Sequence, residues 1–209
     1  MKKLSIGFSP CPNDTFIFDA LIHGKIDTEG LEFEVHMADV EELNQMAFRG
    51  DLDITKLSYH AFFHVLDEYL MMDSGSALGN NCGPLLIKNK GGSNPMDNAL
   101  IAIPGKYTTA NFLLNYAYPE LQNKKEMLFS DIESAVKKKE TSAGLIIHEN
   151  RFTYADRGFE KVKDLGEYWE QRTGMPIPLG GIAIKRRLDS GLQEKVQRLI
   201  QKSLEFAFE

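Results

Sequence analysis

Three scarcities bound what this chain can be. Only two of its 209 residues are cysteine, too few for a disulfide framework or a cysteine-based zinc cluster. No apolar run approaches the ~18 residues that span a bilayer, and mean hydropathy is -0.29, so no membrane association is expected. Basic charge is also short, with 24 Lys and Arg against 30 Asp and Glu for a net charge of -6. The densest basic run, Lys137-Lys138-Lys139, sits between Glu133 and Glu140 and reads as a solvated helix face. A phosphate backbone needs more positive charge than that, so nucleic acid is not an expected partner. The opening Met1-Lys2-Lys3 imitates the start of a secretory signal. Its apolar continuation stops at Ser9-Pro10, short of the ~7–15 residues such a signal needs. A cytoplasmic location follows as the expectation, with Cys11 and Cys82 as free thiols.

What the chain does have is a 43% hydrophobic content, enough for an ordinary core, and strands alternating with helices. Residues 3–8, 31–36, 52–57, 84–88, 99–103, 127–129, 143–147, 159–165 and 182–185 read as strands by alternation or by short apolar runs. Between them the patterning predicts helices, among them one from Thr15 to a stop at Gly24, one over residues 59–70, one over 111–118 and a last one capped by Ser190. Asn13 or Asp14 is the expected cap of the first helix, and Ser130-Asp131-Ile132-Glu133 has the capping-box pattern. Residues 89–95 and 174–181 have linker composition. The expected architecture is α/β with two lobes and a cleft between them. Residues 1–90 plus 177–209 would form the first lobe, and residues 91–176 the second.

The chemistry gathers where strands end. The run Ala143-Gly144-Leu145-Ile146-Ile147 reads as a strand buried in a parallel sheet, and it stops at His148-Glu149-Asn150-Arg151. In open α/β sheets ligands bind just past the carboxyl ends of strands, so His148 is a candidate proton carrier. The plainer alternative is a strand-end histidine that caps a carbonyl. Lys56 and Ser58 stand where another strand feeds a helix, and Thr109 and Ala110 open a further helix whose N–H groups suit a carboxylate or phosphate. At the first of these the alternative is a solvated lysine and a serine that only caps. His60 and His64 have the i, i+4 spacing of a zinc pair. Ala61 occupies the place of a metalloprotease's general base, however, and no third ligand is near in sequence, so no metal is expected. The stretch GSALGNNCG at residues 75–83 matches neither a P-loop nor a dinucleotide fingerprint.

Five motifs, taken in register, carry a resemblance: SPCPNDTFIF (9–18), TKLSY (55–59), PGKYTTA (104–110), GLIIHENRFTY (144–154) and TGMPIPLGG (173–181). Together they resemble the 1,4-dihydroxy-6-naphthoate synthases of the futalosine route to menaquinone. The resemblance implies the type 2 periplasmic-binding-protein fold, with three-layer α/β/α lobes, in a cytoplasmic enzyme. It implies a cofactor-free lyase that converts cyclic dehypoxanthine futalosine to 1,4-dihydroxy-6-naphthoate. By the same resemblance Lys56, Leu57 and Ser58 hold the small-molecule substrate together with Thr108, Thr109 and Ala110, and His148 is the proton acceptor. A neutral imidazole in a water-poor cleft suits removal of a proton beside a carbonyl. Members of that family continue for several helices past the equivalent of Glu209, which implies a C-terminally truncated first lobe. Two other readings stay open: a non-catalytic small-anion binding protein of the same fold, and the related chorismate dehydratase of the same pathway.

Overall fold

A computed structural model describes residues 2–95 and 98–209. Its contacts divide the chain into two compact units, Met1–Ala77 with Gly180–Glu209, and Leu78–Leu179. The first unit begins with β1 (Lys2–Phe8), α1 (Pro12–Ile22), β2 (Leu31–Met37) and α2 (Val40–Arg49). It continues through β3 (Ile54–Ser58), α3 (Tyr59–Phe62) and β4 (Tyr69–Met71), and the chain leaves it within β5 (Ala77–Gly79). The second unit runs through β6 (Leu85–Asn89), β7 (Ile101–Ile103), α4 (Thr109–Ala117), β8 (Lys124–Glu126), α5 (Ile132–Lys137), β9 (Ala143–Ile146), α6 (Asn150–Thr153), β10 (Phe159–Asp164) and α7 (Leu165–Thr173). The chain returns along β11 (Ile177–Lys185) and ends in α8 (Ser190–Phe208).

In the first unit's sheet the strand order is β2-β1-β3-β11-β4, with β5 also on β11. β1 is parallel to both neighbours, while β11 runs antiparallel to β3 and β4. The period-2 rule assigns the faces. Leu4, Ile6 and Phe8 join Ile17, Phe18 and Leu21 of α1 and Leu192, Val196, Leu199 and Ile200 of α8 in one core cluster. Gly7 points to the other face, where Leu43 of α2 and Leu52 pack. Helices therefore cover both sides of the sheet, and β3 is buried along its whole length.

The second unit repeats this logic with strand order β10-β6-β9-β7-β8. Leu86, Ile101, Ile103, Ala143 and Leu145 face α4 and α7. Their alternate neighbours Leu85, Ile87, Ala102 and Ile146 face α5. Gly144 is required at its place in β9, because a Cβ there would come within 2.5 Å of Ile132 and 2.8 Å of Val136. β9 pairs parallel with β7 but antiparallel with β6, so the sheet is mixed rather than parallel as its apolar run suggested.

Several local expectations are corrected. β6 hydrogen-bonds to β9 and β10, so the first crossing lies at 77/78, ahead of the Gly-rich stretch 89–95 that composition had marked; Met96 and Asp97 lie outside the described residues. The second crossing, at 179/180, is no linker. It falls inside the nine-residue β11, whose two glycines allow close packing, since a Cβ on Gly181 would meet Met71 Sδ at 2.3 Å. The helix expected over 59–70 stops at Phe62. Tyr69 is drawn instead into β4, fully buried, with its hydroxyl donating to Leu52 O at 2.7 Å. β8 precedes the apolar residues 127–129, because the register with β7 ends at Glu126 and Leu128 is exposed. Three caps also differ. Asp189, not Ser190, caps α8 by accepting from Leu192 N. α1 starts at Pro12 with no side-chain cap, and α5 has none either.

Candidate active site

The first unit gathers its candidate residues at the end of β3. Lys56 is only 8% exposed. Its Nζ donates to Gly75 O at 2.8 Å and stands 3.3 Å from Asp14 Oδ1. Two residues on, Ser58 is buried and held twice by Asn44 of α2. Its N–H donates to Asn44 Oδ1 at 3.0 Å, and its Oγ accepts from Asn44 Nδ2 at 3.3 Å. These contacts use the backbone N–H and one lone pair, which leaves the hydroxyl proton to be donated elsewhere. Neither residue has the expected plain alternative, for Lys56 is not in solvent and Ser58 makes no side-chain cap to α3. Leu57 is fully buried, and its carbonyl oxygen lies 2.9 Å from where a Cβ on Gly180 would sit, so β11 approaches this strand end at a distance only glycine tolerates. Tyr59 extends the group, its hydroxyl 2.8 Å from Ser76 Oγ.

The second unit presents Thr108, Thr109 and Ala110 at the start of α4, all three buried. Thr108 is the N-cap: its Oγ1 accepts from Asn111 N at 3.2 Å and donates to Gly105 O at 2.8 Å. The Thr109 hydroxyl donates to Leu179 O at 2.8 Å, so its proton is already in use. What these residues can present to an anion is backbone, since the N–H groups of Thr109 and Ala110 belong to the first turn and have no intrahelical acceptor.

His148 stands in the turn just past β9, exposed, with φ at 56°. That left-handed backbone is uncommon for a side chain with a Cβ, and it bends the chain sharply at the strand end. The imidazole meets the Phe129 ring edge to face at a centroid distance of 5.1 Å. Arg151 anchors the turn from the other side. Its guanidinium donates to Gly83 O and pairs with Asp164 Oδ2 at 3.0 Å. Asp164 Oδ1 meanwhile caps α7 through the N–H groups of Gly166 and Glu167, each at 3.0 Å. The carboxylate thus joins the histidine turn to the helix that follows β10.

His60 and His64 do come together, with ring centroids 5.4 Å apart, but α3 ends between them. Among the described residues no three His, Cys, Asp or Glu side chains are grouped so as to hold a metal. Likewise no helix there is long and apolar enough to cross a membrane.

Sequence reasoning missed Asn44, Arg151 and Asp164. Asn44 was detectable in principle, because it lies beside Leu43 and three residues before Ala47 on the buried face of α2, a polar residue where apolar ones belong. Arg151 and Asp164 are 13 residues apart in sequence and gave no local signal.

Sheets of this kind define a class, the α/β fold of the periplasmic binding proteins. The alkanesulfonate-binding protein SsuA from Xanthomonas axonopodis pv. citri, crystallised with MOPS, superposes with a TM-score of 0.74 at 12% identity, over 99% of this chain and 73% of that one. A crystal structure of protein AF1704 from Archaeoglobus fulgidus is far nearer, with a TM-score of 0.92 and 38% identity over 99% of this chain and 76% of its own. Two curated relatives are each described as a 1,4-dihydroxy-6-naphthoate synthase. The one from Thermus thermophilus is 44% identical over 99% of this chain and 75% of its own length. The one from Streptomyces coelicolor is 37% identical over 99% and 74%. The family profile described as menaquinone biosynthesis matches residues 4–209. The chain belongs to that menaquinone-biosynthesis family.

Proposed function

We propose that this protein is a 1,4-dihydroxy-6-naphthoate synthase, a lyase that converts cyclic dehypoxanthine futalosine to 1,4-dihydroxy-6-naphthoate, acting in the cytoplasm. The observation that carries the catalytic assignment is His148 itself, an exposed imidazole on a left-handed turn at the end of β9, anchored by the Arg151–Asp164 pair. Alignment of 99% of this chain with about three quarters of two synthases supports the reaction.

In the proposed reaction His148 accepts a proton from a carbon beside a carbonyl of the substrate. The furanoside fragment is then expelled and the ring aromatises. Proton transfer of this kind needs a base with a pKa near the working pH, and histidine meets that requirement without large perturbation. The substrate's carboxylate calls for oriented donors. Ser58 can offer its hydroxyl proton, because Asn44 engages its backbone N–H and one lone pair of its oxygen and leaves that proton unused. Thr109 and Ala110 can offer first-turn N–H groups, with Thr108 and the Thr109 hydroxyl fixing the backbone that presents them.

The test is turnover of cyclic dehypoxanthine futalosine by the purified protein, read as dihydroxynaphthoate by liquid chromatography and mass spectrometry, beside His148→Ala. Product from the wild type alone supports both reaction and base. Equal product from the variant removes His148 from the role. Substrate binding without product from either protein favours a binding function instead.

A further inference from the structure

We propose that Asp14 is a positioning residue that fixes the Lys56 ammonium at the end of β3. The proposal rests on the reading of Lys56 as a substrate-binding group and adds a residue to it.

Asp14 is the third residue of α1, where an acidic side chain would ordinarily reach back to the cap. Here the cap position is Cys11, which makes no side-chain cap, and Asp14 turns elsewhere. It is 2% exposed, and its Oδ2 accepts from Ser9 N at 3.0 Å and from Ser9 Oγ at 2.7 Å. A serine hydroxyl has one proton. With that proton on Asp14, the 2.9 Å approach of Cys11 Sγ to Ser9 Oγ leaves the thiol as donor, so Cys11, Ser9 and Asp14 form a chain of hydrogen bonds that ends on Oδ2. Two donors on Oδ2 fix the plane of the carboxylate. The other oxygen, Oδ1, is buried and accepts no hydrogen bond; the Lys56 ammonium lies 3.3 Å away.

Such an oxygen would be costly if the carboxylate served only to cap or to stabilise. Its place is explained if the carboxylate acts on the ammonium as a charge rather than through an ideal hydrogen bond. A buried ammonium needs a partner to stay charged and in place. Gly75 O takes one of its three N–H groups and the Asp14 charge restrains it at 3.3 Å, and a remaining N–H is what a ligand oxygen would take. The strand end and the SPCPND turn thereby become one device, with the carboxylate of the turn holding the cation of the strand.

Asp14→Asn keeps the shape and removes the charge. Its first readout needs no substrate: acetylation of lysines by an N-hydroxysuccinimide ester, followed by peptide mass spectrometry. Lys56 labelling is expected to rise about tenfold as its restraint is lost, while Lys88, an equally buried lysine of the second unit, stays unchanged as the control. The second readout is kinetic. KM for the futalosine should rise about tenfold in Asp14→Asn with kcat much less affected, and Asp14→Asn should add nothing to the KM of Lys56→Met, because the first residue acts through the second. Unchanged Lys56 labelling in a folded Asp14→Asn protein overturns the proposal, and so does a KM effect that adds in full to that of Lys56→Met. Wild-type protein without turnover refutes the synthase reading, and the labelling then decides the positioning role alone. If Asp14→Asn does not fold, Ser9→Ala removes one donor to Oδ2 and keeps both charges. A smaller rise in Lys56 labelling supports the proposal there, and none overturns it.

Discussion

Lys56 and Ser58 end a strand that is buried along its whole length, whereas His148 stands exposed on a left-handed turn. In the first unit the candidate residues are part of the packing, and α2 and the SPCPND turn orient them before any ligand arrives. At the end of β9 in the second unit the strand stops at Ile146, Ile147 still packs on the core, and the proposed base follows it. The difference suits two kinds of work. Binding an anion gains from donors that do not need to be ordered on arrival. A proton acceptor needs instead an accessible ring whose backbone is held while the side chain meets substrate.

The sharpest way to test that contrast is to remove a residue from each side and ask whether activity or stability suffers. His148→Ala is expected to lower kcat about 10²–10⁴-fold, the range for a general base, and to leave the melting temperature near that of the wild type. A melting temperature that fell with the activity would mean that the turn is part of the packing after all. Arg151→Met should do more to the fold. It leaves the half-buried Asp164 with one oxygen still capping α7 and the other without its guanidinium, a loss of about 2–3 kcal/mol for a charged hydrogen-bonded pair, measurable by urea denaturation. In the first unit Asn44→Ala strips Ser58 of both its hydrogen bonds and leaves a buried N–H unsatisfied. A destabilisation of about 1–3 kcal/mol is expected, together with a raised KM, so there stability and binding fall together. A KM unchanged in the folded variant would separate Ser58 from the ligand.

How far this contrast could be read from sequence depends on where the information lay. The His148 position followed from a local signal, an apolar run that breaks at a charged tetrapeptide, and the alternation of strands and helices located most elements. The parts that failed were settled by tertiary contacts. Residues 59–70 have a helical apolar pattern, yet Tyr69 gains more from a buried place in β4 with its hydroxyl on Leu52 O than from another helical turn. Gly180 and Gly181 look like a linker by composition, and only the closeness of Leu57 O and Met71 Sδ shows that they are packing residues. The supports of the candidate site were hidden for the same reason. Asn44 reaches Ser58 across 14 positions, and Lys56 reaches Gly75 across 19. Asp14 was noticed in the sequence, but as a helix cap, and its partners Ser9 and Lys56 lie outside the pattern a cap would make.

The smallest effect separates the backbone of His148 from its ring. At φ 56° a residue with a Cβ is held in a conformation that costs about 1–2 kcal/mol against glycine. His148→Gly and His148→Ala both lose the imidazole, so both should be equally inactive. They should differ in stability, with the glycine variant ahead by about 1 kcal/mol, less the extra entropy that glycine has in the unfolded chain. Urea denaturation of the pair measures that difference directly. Equal midpoints, or an alanine variant that is the more stable, would mean that the turn relaxes once the ring is gone. Its left-handed form would then be maintained by the imidazole and its contact with Phe129 rather than imposed by the end of β9 and the Arg151 anchor.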